Sequence, residues 1–249
     1  MSSARASAPP VQSTQCTPTL RVCFRKCALR AREKILADLE RNFIADHVSP
    51  ALPEVMAAMV AANTGTKGSY GMTSMAEVTY DADAEEARRR LSDLFETQVD
   101  ALFVPTGTAS NSIALACLAP RHGGIYCASG SHANNDECGC PELFSGAKLL
   151  PIRTCADGRM DLDELFAALG KPLKFPHEAL PTAVSLTQPT EAGFCYSLEQ
   201  VASVCRAVKV AEPPLRVHMD GARFPQALDY FTRQAAAAGR APPTLADLT

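Results

Sequence analysis

Short apolar runs that alternate with amphipathic segments are the feature of this sequence that most constrains its fold. The apolar runs have the length of strands, and the segments between them carry helical periodicity or helix-capping residues. Strands and helices joined by short connections form a mostly parallel sheet that is covered on both faces. We therefore predict an α/β fold with three layers, α/β/α. The predicted strands are Ala101–Pro105, Ile125–Ala128, Leu149–Ile152, Ala183–Thr187 and Leu215–Met219.

Capping residues predict where several helices begin. Asp161 and Glu164 resemble a capping box in which Asp takes the place of Ser or Thr. Ser197 and Gln200 form a second box of this kind. Ser49-Pro50 combines a capping hydroxyl with a proline where no N–H is needed, which predicts a further helix start. The remaining predicted helices are Asp83–Phe95 and Ser110–Leu118.

The overall composition argues against several classes of function. The net charge is −3 and the sequence pI is about 6.0, so nothing in the charge balance indicates a nucleic-acid partner. The apolar runs are far too short to cross a bilayer, which argues against a membrane protein. The ten cysteines include no CxxC pair and no Cys/His cluster at zinc spacing. We interpret them as free thiols, which predicts a reducing, cytoplasmic compartment and no metal site.

The first 32 residues differ in composition from the rest of the chain. They contain no Asp or Glu and carry Arg and Lys among Ser, Ala and Thr. That is the composition of a mitochondrial transit peptide, which makes the mitochondrion the alternative location. An untargeted, disordered tail is the other interpretation of this segment. We expect residues 1–32 to be a basic disordered tail or a transit peptide, and residues 33–249 to form part of one large domain.

The segment that follows the first predicted strand has the features of a phosphate cradle. In parallel sheets, ligands bind outside the carboxyl ends of the strands. Gly107 allows close approach to the backbone, Thr108 adds a hydroxyl, and the following helix offers free N–H groups. An ordinary structural cap is the alternative. The motif is neither GxGxxG nor GxxxxGK[ST], which argues against a dinucleotide or P-loop site.

His132 follows the predicted strand Ile125–Ala128, and Glu137 lies five residues further on. A histidine at this position can stack on a flat cofactor. A histidine whose hydrogen bonds are satisfied in the core or in a loop is the alternative.

Asp220 ends the last predicted strand, where a carboxylate is costly unless it is paired. A pyridinium N–H is a fitting partner, because a buried carboxylate keeps that nitrogen protonated. Arg223 offers a planar fork for a substrate carboxylate. An Asp220–Arg223 salt bridge is the structural alternative. Together the three strand ends describe a site for pyridoxal 5′-phosphate (PLP).

Five segments, taken in order, resemble the low-specificity threonine aldolases, which are grouped with the aromatic amino acid β-eliminating lyases. The resemblance extends from Phe43 to Thr249. Five motifs in sequence make it more specific than any single motif. The segments are Pro53–Met56, Val104–Asn111, Ser131–Gly139, Ser185–Glu191 and His218–Phe224.

The resemblance implies the large domain of a PLP-dependent transferase fold and a reaction. The reaction is retro-aldol cleavage of L-threonine, L-allo-threonine or a related β-hydroxy amino acid to glycine and an aldehyde. Family members are dimers or tetramers, so a homo-oligomer is expected. The implied roles are phosphate binding by Gly107 and Thr108, ring stacking and acid–base catalysis by His132 with Glu137, pyridine pairing by Asp220, and substrate carboxylate binding by Arg223.

Three departures from the family pattern bear on activity. The Schiff-base lysine is expected beyond Arg223, but Lys209 is the last lysine of the sequence, and the small C-terminal domain is also missing. The family's Ser-Asp-Asn appears as Ala45-Asp46-His47, and its Tyr-Gly-x-Asp-Pro appears as Tyr80–Ala84. A truncated threonine aldolase is therefore expected. The alternative is an inactive homologue that associates with a complete subunit. A nicotinamide-dependent enzyme is disfavoured by the missing glycine fingerprint.

Overall fold

The computed structural model describes residues 50–63, 82–174 and 176–248. The chain divides into two compact units, Met1–Ser69 and Tyr70–Thr249. Three sequence predictions lie outside the described residues: the basic tail of residues 1–32, the segment Ala45-Asp46-His47, and the first two positions of Tyr80–Ala84.

In the first unit the described residues form one helix, α1 (Pro53–Ala62), which begins later than predicted. A helix that began at Pro50 would place Pro53 where the first intrahelical N–H is needed, and proline has none. The helix therefore begins at Pro53, where the missing donor has no cost.

The second unit contains the sheet and the helices that cover it. All predicted helices of this unit are confirmed within a few residues at their ends. Its elements are α2 (Ala82–Leu94), α3 (Gly107–Leu118), β1 (Gly123–Ala128), α4 (His132–Asn135), α5 (Cys140–Ser145), β2 (Lys148–Ile152), α6 (Leu162–Leu169), β3 (Leu180–Thr187), α7 (Leu198–Val210), β4 (Arg216–Asp220), α8 (Phe224–Ala237) and a 3₁₀ turn (Ala246–Leu248).

The predicted strand Ala101–Pro105 is wrong. This segment is irregular, and no described strand pairs with it. Leu102 and Phe103 are 66% and 62% exposed, so the run is not a buried strand here. A short apolar run shows that a segment is hydrophobic, but it does not identify a neighbouring strand that could form backbone hydrogen bonds with it. A β-strand requires both.

The four described strands form one sheet in the order β2-β1-β3-β4, and every neighbouring pair is parallel. Thr187 of β3 lies beside Asp220 of β4, and Ala128 of β1 lies beside Ile152 of β2. The carboxyl ends therefore meet along one edge. The predicted parallel sheet is confirmed.

Helices cover both faces of this sheet, as β1 illustrates. Ile125 and Cys127 point to one face and pack in a cluster with Leu115 of α3. Tyr126 and Ala128 point to the opposite face, where they join a cluster that includes residues of α6 and α7. Successive side chains of a strand alternate between faces, so two separate cores follow from one strand. The predicted three-layer α/β/α architecture is confirmed.

Both predicted caps at Asp161 and Ser197 are present, but only one is a reciprocal box. The Ser197 hydroxyl accepts from Gln200 N, and the Gln200 side chain accepts from Ser197 N. Asp161 caps α6, whereas Glu164 accepts from Arg153 N instead of returning to the cap. Among the described helices, none is long and apolar enough to cross a membrane.

Candidate active site

The candidate site lies where α3 crosses the carboxyl ends of β1 and β4. The turn after β1 carries His132 at the start of α4. Asp220 is the last residue of β4, and Asn111 lies on the face of α3 that meets it. The sheet therefore brings together residues that are separated by more than 100 positions in sequence.

Asp220 is 8% exposed, and both of its carboxylate oxygens accept hydrogen bonds. Oδ1 accepts from Ala222 N at 3.1 Å, and Oδ2 accepts from Asn111 Nδ2 at 3.2 Å. The alternative salt bridge to Arg223 is not formed. Arg223 directly precedes α8, is half-buried, and makes no ion pair within the described part of the chain.

Glu137 and His132 form a close pair. Nδ1 of His132 lies 2.9 Å from Oε1 of Glu137, whose side chain has no exposed surface. The same Oε1 also accepts from Asn111 Nδ2 at 2.7 Å. An ionised carboxylate only accepts hydrogen bonds, so Nδ1 of His132 carries the proton that it donates to Glu137. Nε2 is then the basic nitrogen of the neutral ring. The imidazole is 41% exposed and accessible from outside.

Asn111 joins these two carboxylates and was not singled out from the sequence. It is 6% exposed, and its amide nitrogen donates to both Glu137 and Asp220. The signal available in the sequence was its position one helical turn after Gly107. Residues four apart in a helix lie on the same face, so an amide here faces whatever the helix N-terminus faces.

The N-terminus of α3 presents unused donors. Thr106 caps the helix by accepting from Ala109 N. The backbone N–H groups of Gly107 and Thr108 have no acceptor among the described residues. An added Cβ at Gly107 would meet no atom within 4 Å, so the space beside it is open. Free N–H groups beside open space at a helix N-terminus are features that favour anion binding.

A second buried polar pair lies on the same face of the sheet. Ser185 Oγ lies 2.8 Å from Nδ1 of His218, and both side chains are buried. Burial lowers the pKa of His218, although the nearby carboxylates Asp220 and Glu137 act in the opposite direction. His218 and Ser185 had no assigned role in the sequence analysis. His218 lies two residues before Asp220 in β4, and Ser185 lies two residues before Thr187 in β3. Alternate residues of a strand share a face, so this spacing was the signal that could have identified them.

Glu191 lies in the loop after β3 and binds the first residue of α4. Its carboxylate accepts from the backbone N–H of His132 at 2.9 Å. The Ser185–Glu191 segment thus contacts the turn that carries His132. In the described ranges, no group of three His, Cys, Asp or Glu side chains is arranged to hold a metal ion.

Comparisons with known proteins point to one family. Residues 42–242 match the family model described as beta-eliminating lyase. A low specificity L-threonine aldolase of Pseudomonas aeruginosa is 35% identical over 201 residues, which cover 79% of this chain and 54% of that protein. A second low specificity L-threonine aldolase, from another Pseudomonas strain, is 34% identical over 197 residues, with the same coverage of 79% and 54%.

Among solved structures, a threonine aldolase of Leishmania major is similar to this chain with a TM-score of 0.67 and 26% sequence identity. The similarity covers 83% of this chain and 56% of that chain. The chain thus spans about half the length of the curated relatives it matches, 54% in each case.

Proposed function

The chain belongs to the beta-eliminating lyase family, and from this premise we propose that it carries the cofactor site of a PLP-dependent, threonine aldolase-like lyase. The proposed substrates are L-threonine, L-allo-threonine or related β-hydroxy amino acids, cleaved to glycine and an aldehyde. One observation carries the proposal. Asn111 links the His132–Glu137 pair to Asp220, so candidate residues from two strand ends form one hydrogen-bonded group.

The residues present fit the phosphate and the ring nitrogen of PLP. The free N–H groups of Gly107 and Thr108 would hold the phosphate. Asn111 lies one helical turn further, about 5.4 Å along the axis, and contacts Asp220. A flat molecule with an anionic group at one end and a protonated nitrogen at the other would therefore meet both. When bound, PLP supplies an electron sink for the carbon that loses its substituent.

Asp220 would keep the cofactor nitrogen protonated. It is buried, and its two hydrogen bonds come from an amide side chain and a backbone N–H, neither of which carries charge. A buried carboxylate without a cationic partner favours the protonated form of a nitrogen placed beside it.

His132 would act as the base. Nε2 takes the proton of the β-hydroxyl group while the Cα–Cβ bond breaks and the hydroxyl carbon becomes the aldehyde carbonyl. The electron pair of the broken bond stays with Cα. Glu137 accepts from Nδ1 and stabilises the imidazolium that forms.

Arg223 would bind the substrate carboxylate. Its guanidinium lies three residues beyond Asp220 and has no ion-pair partner within the described ranges. A planar fork of this kind binds a carboxylate through two parallel hydrogen bonds, which fixes the substrate's orientation as well as its charge.

The proposal includes a homo-oligomer, a dimer or a tetramer. It is supported by large apolar side chains at the surface of the second unit, among them Leu143 and Phe144, which are 75% and 67% exposed. Light scattering of the purified native protein measures the mass of the assembly directly, and a monomer would contradict this part of the proposal. The proposed location is the cytoplasm, with the mitochondrion as the alternative.

Aldehyde release tests the proposed reaction. The native polypeptide that contains this sequence is purified from its source and supplied with L-threonine, L-allo-threonine or L-alanine, which has no β-hydroxyl. We expect aldehyde and glycine in equal amounts from the first two substrates and none from L-alanine. His132→Asn should lower the rate by about 10²- to 10⁴-fold, the usual contribution of a general base. If the native polypeptide releases aldehyde from no β-hydroxy amino acid, the proposal is overturned.

A further inference from the structure

We propose that Asn111 is a positioning residue that sets the protonation pattern of the site by donating to both of its buried carboxylates. Its catalytic meaning rests on the proposed function. The amide nitrogen of Asn111 lies 2.7 Å from Glu137 Oε1 and 3.2 Å from Asp220 Oδ2.

The orientation of the Asn111 amide follows from chemistry. Carboxylate oxygens accept hydrogen bonds, so the group that faces two of them must be the NH₂ end. The opposite orientation would place three oxygens against one another in a buried site. Both amide hydrogens are therefore committed, one to Glu137 and one to Asp220.

The first consequence concerns His132. Glu137 Oε1 is held as an acceptor by Asn111, and the same oxygen faces Nδ1 of His132 at 2.9 Å. Nδ1 must then donate, which leaves Nε2 as the free base. Asn111 does not touch the imidazole, and it acts on the histidine only through Glu137.

The second consequence concerns the two carboxylates themselves. Glu137 is 3% exposed and Asp220 is 8% exposed, so solvent screens their mutual repulsion poorly. Two like charges in such a site repel each other strongly. A bridging NH₂ group offsets that repulsion, because it donates to both carboxylates and can accept from neither. Without it, Glu137 Oε1 loses the donor that helps to keep it an acceptor toward Nδ1 of His132.

Nitrogen NMR of the imidazole tests this inference without cofactor or substrate. The 249-residue chain is labelled with ¹⁵N-histidine, and His132→Gln assigns the His132 signals among the five histidines. We expect the neutral wild-type ring to be protonated at Nδ1 and bare at Nε2. Asn111→Ala should move His132 toward the Nε2-protonated tautomer. Wild-type protein with the proton at Nε2 would overturn the inference without any variant.

Ser112→Ala is the matched control. Ser112 is adjacent on α3 and 2% exposed, and its hydroxyl has no hydrogen-bond partner in the described structure. It should leave the His132 spectrum unchanged. If Asn111→Ala also leaves the spectrum unchanged, Asn111 is only a packing residue and the inference fails. Asn111→Asp keeps the shape but replaces the donor with an acceptor, so it should reproduce the effect of Asn111→Ala.

The outcomes separate this inference from the proposed function. A tautomer shift in Asn111→Ala, together with a native polypeptide that releases no aldehyde, would support the positioning role and overturn the aldolase proposal. An unchanged tautomer together with aldehyde release would do the reverse.

Discussion

Nδ1 of His132 lies 2.9 Å from Oε1 of Glu137, a carboxylate whose side chain is completely enclosed by protein. The second oxygen of that carboxylate has no hydrogen-bond partner among the described residues. An enclosed carboxylate that uses one oxygen for both Asn111 and His132 holds the imidazole in one orientation. This pair is therefore the part of the site whose chemistry depends most directly on geometry.

Glu137→Gln should lower the turnover of a β-hydroxy amino acid by about 10²- to 10⁴-fold. An amide can present its NH₂ group to Nδ1, which would move the ring proton to Nε2 and remove the base. The measurement is the pH profile of kcat for aldehyde release by the native polypeptide. Glu199→Gln is the control, because Glu199 pairs with Arg206 on the exposed surface of α7. Equal kcat values for wild type and Glu137→Gln would contradict the role given to this pair.

His218 should make the fold less stable in mild acid. Its pKa is lowered in the folded protein, first by burial, so the unfolded chain binds a proton more readily. The folded protein therefore loses stability as the pH falls through about 6.5, which is the ordinary pKa of histidine. Urea unfolding between about pH 5 and pH 8 measures this loss, and His218→Gln should flatten the profile. His177→Gln, at an exposed histidine, is the control; a His218→Gln profile as steep as wild type would refute this assignment.

Leu115 tests the packing of the α3 layer against the sheet. Its side chain is 0% exposed and packs with Ile125 and Ala183. Leu115→Ala should lower the free energy of unfolding by about 2–5 kcal/mol, through lost burial and the cavity that remains. Arg233→Ala, at a side chain that is 80% exposed, should change it by less than about 0.5 kcal/mol. Equal losses in denaturant titrations of the two variants would contradict the layer assignment.

Gly158 and Gly193 lie in the loops beside Thr190, and alanine substitutions at these two positions can be compared directly. Both have positive φ angles, +81° and +82°, so alanine costs about 1–2 kcal/mol at either. An added Cβ at Gly158 would also lie 2.9 Å from Thr190 Oγ1 and 3.0 Å from Ala192 Cβ, whereas at Gly193 it would meet nothing. Gly158→Ala should therefore lose about 1–3 kcal/mol more than Gly193→Ala in urea unfolding. The reverse order would show that the contact with Thr190 is absent.

The sequence allowed the ends of the four described strands to be predicted because capping residues and apolar runs are local signals. His132, Glu137 and Asp220 were identified in this way, and the structure links them. The bridge by Asn111 could not be predicted, since its partners lie 26 and 109 residues away and depend on how α3 crosses the sheet.

The predicted strand Ala101–Pro105 and the predicted helix start at Pro50 were wrong, each for a different reason. The Ala101–Pro105 run was predicted as a strand from hydrophobicity alone, which does not provide a hydrogen-bonding neighbour. The helix start at Pro50 was predicted from one proline without the constraint imposed by Pro53. The capping box predicted at Ser197 and Gln200 was correct in detail. At Asp161 the predicted cap is present, but Glu164 accepts from Arg153 N and does not complete the box.

PLP titration shows whether the residues of this chain hold the cofactor. The native polypeptide, freed of any cofactor, is titrated with PLP and with pyridoxal, which lacks the phosphate, and Asp220→Asn is compared with Asp229→Asn. Asp229 is an exposed residue of α8 that pairs with Arg233, so it serves as the control. We predict that PLP binds more tightly than pyridoxal, and that Asp220→Asn weakens PLP binding by about tenfold or more, as loss of a charged hydrogen bond does. Equal affinity for PLP and pyridoxal, or an Asp220→Asn variant that binds PLP like wild type, would contradict the account.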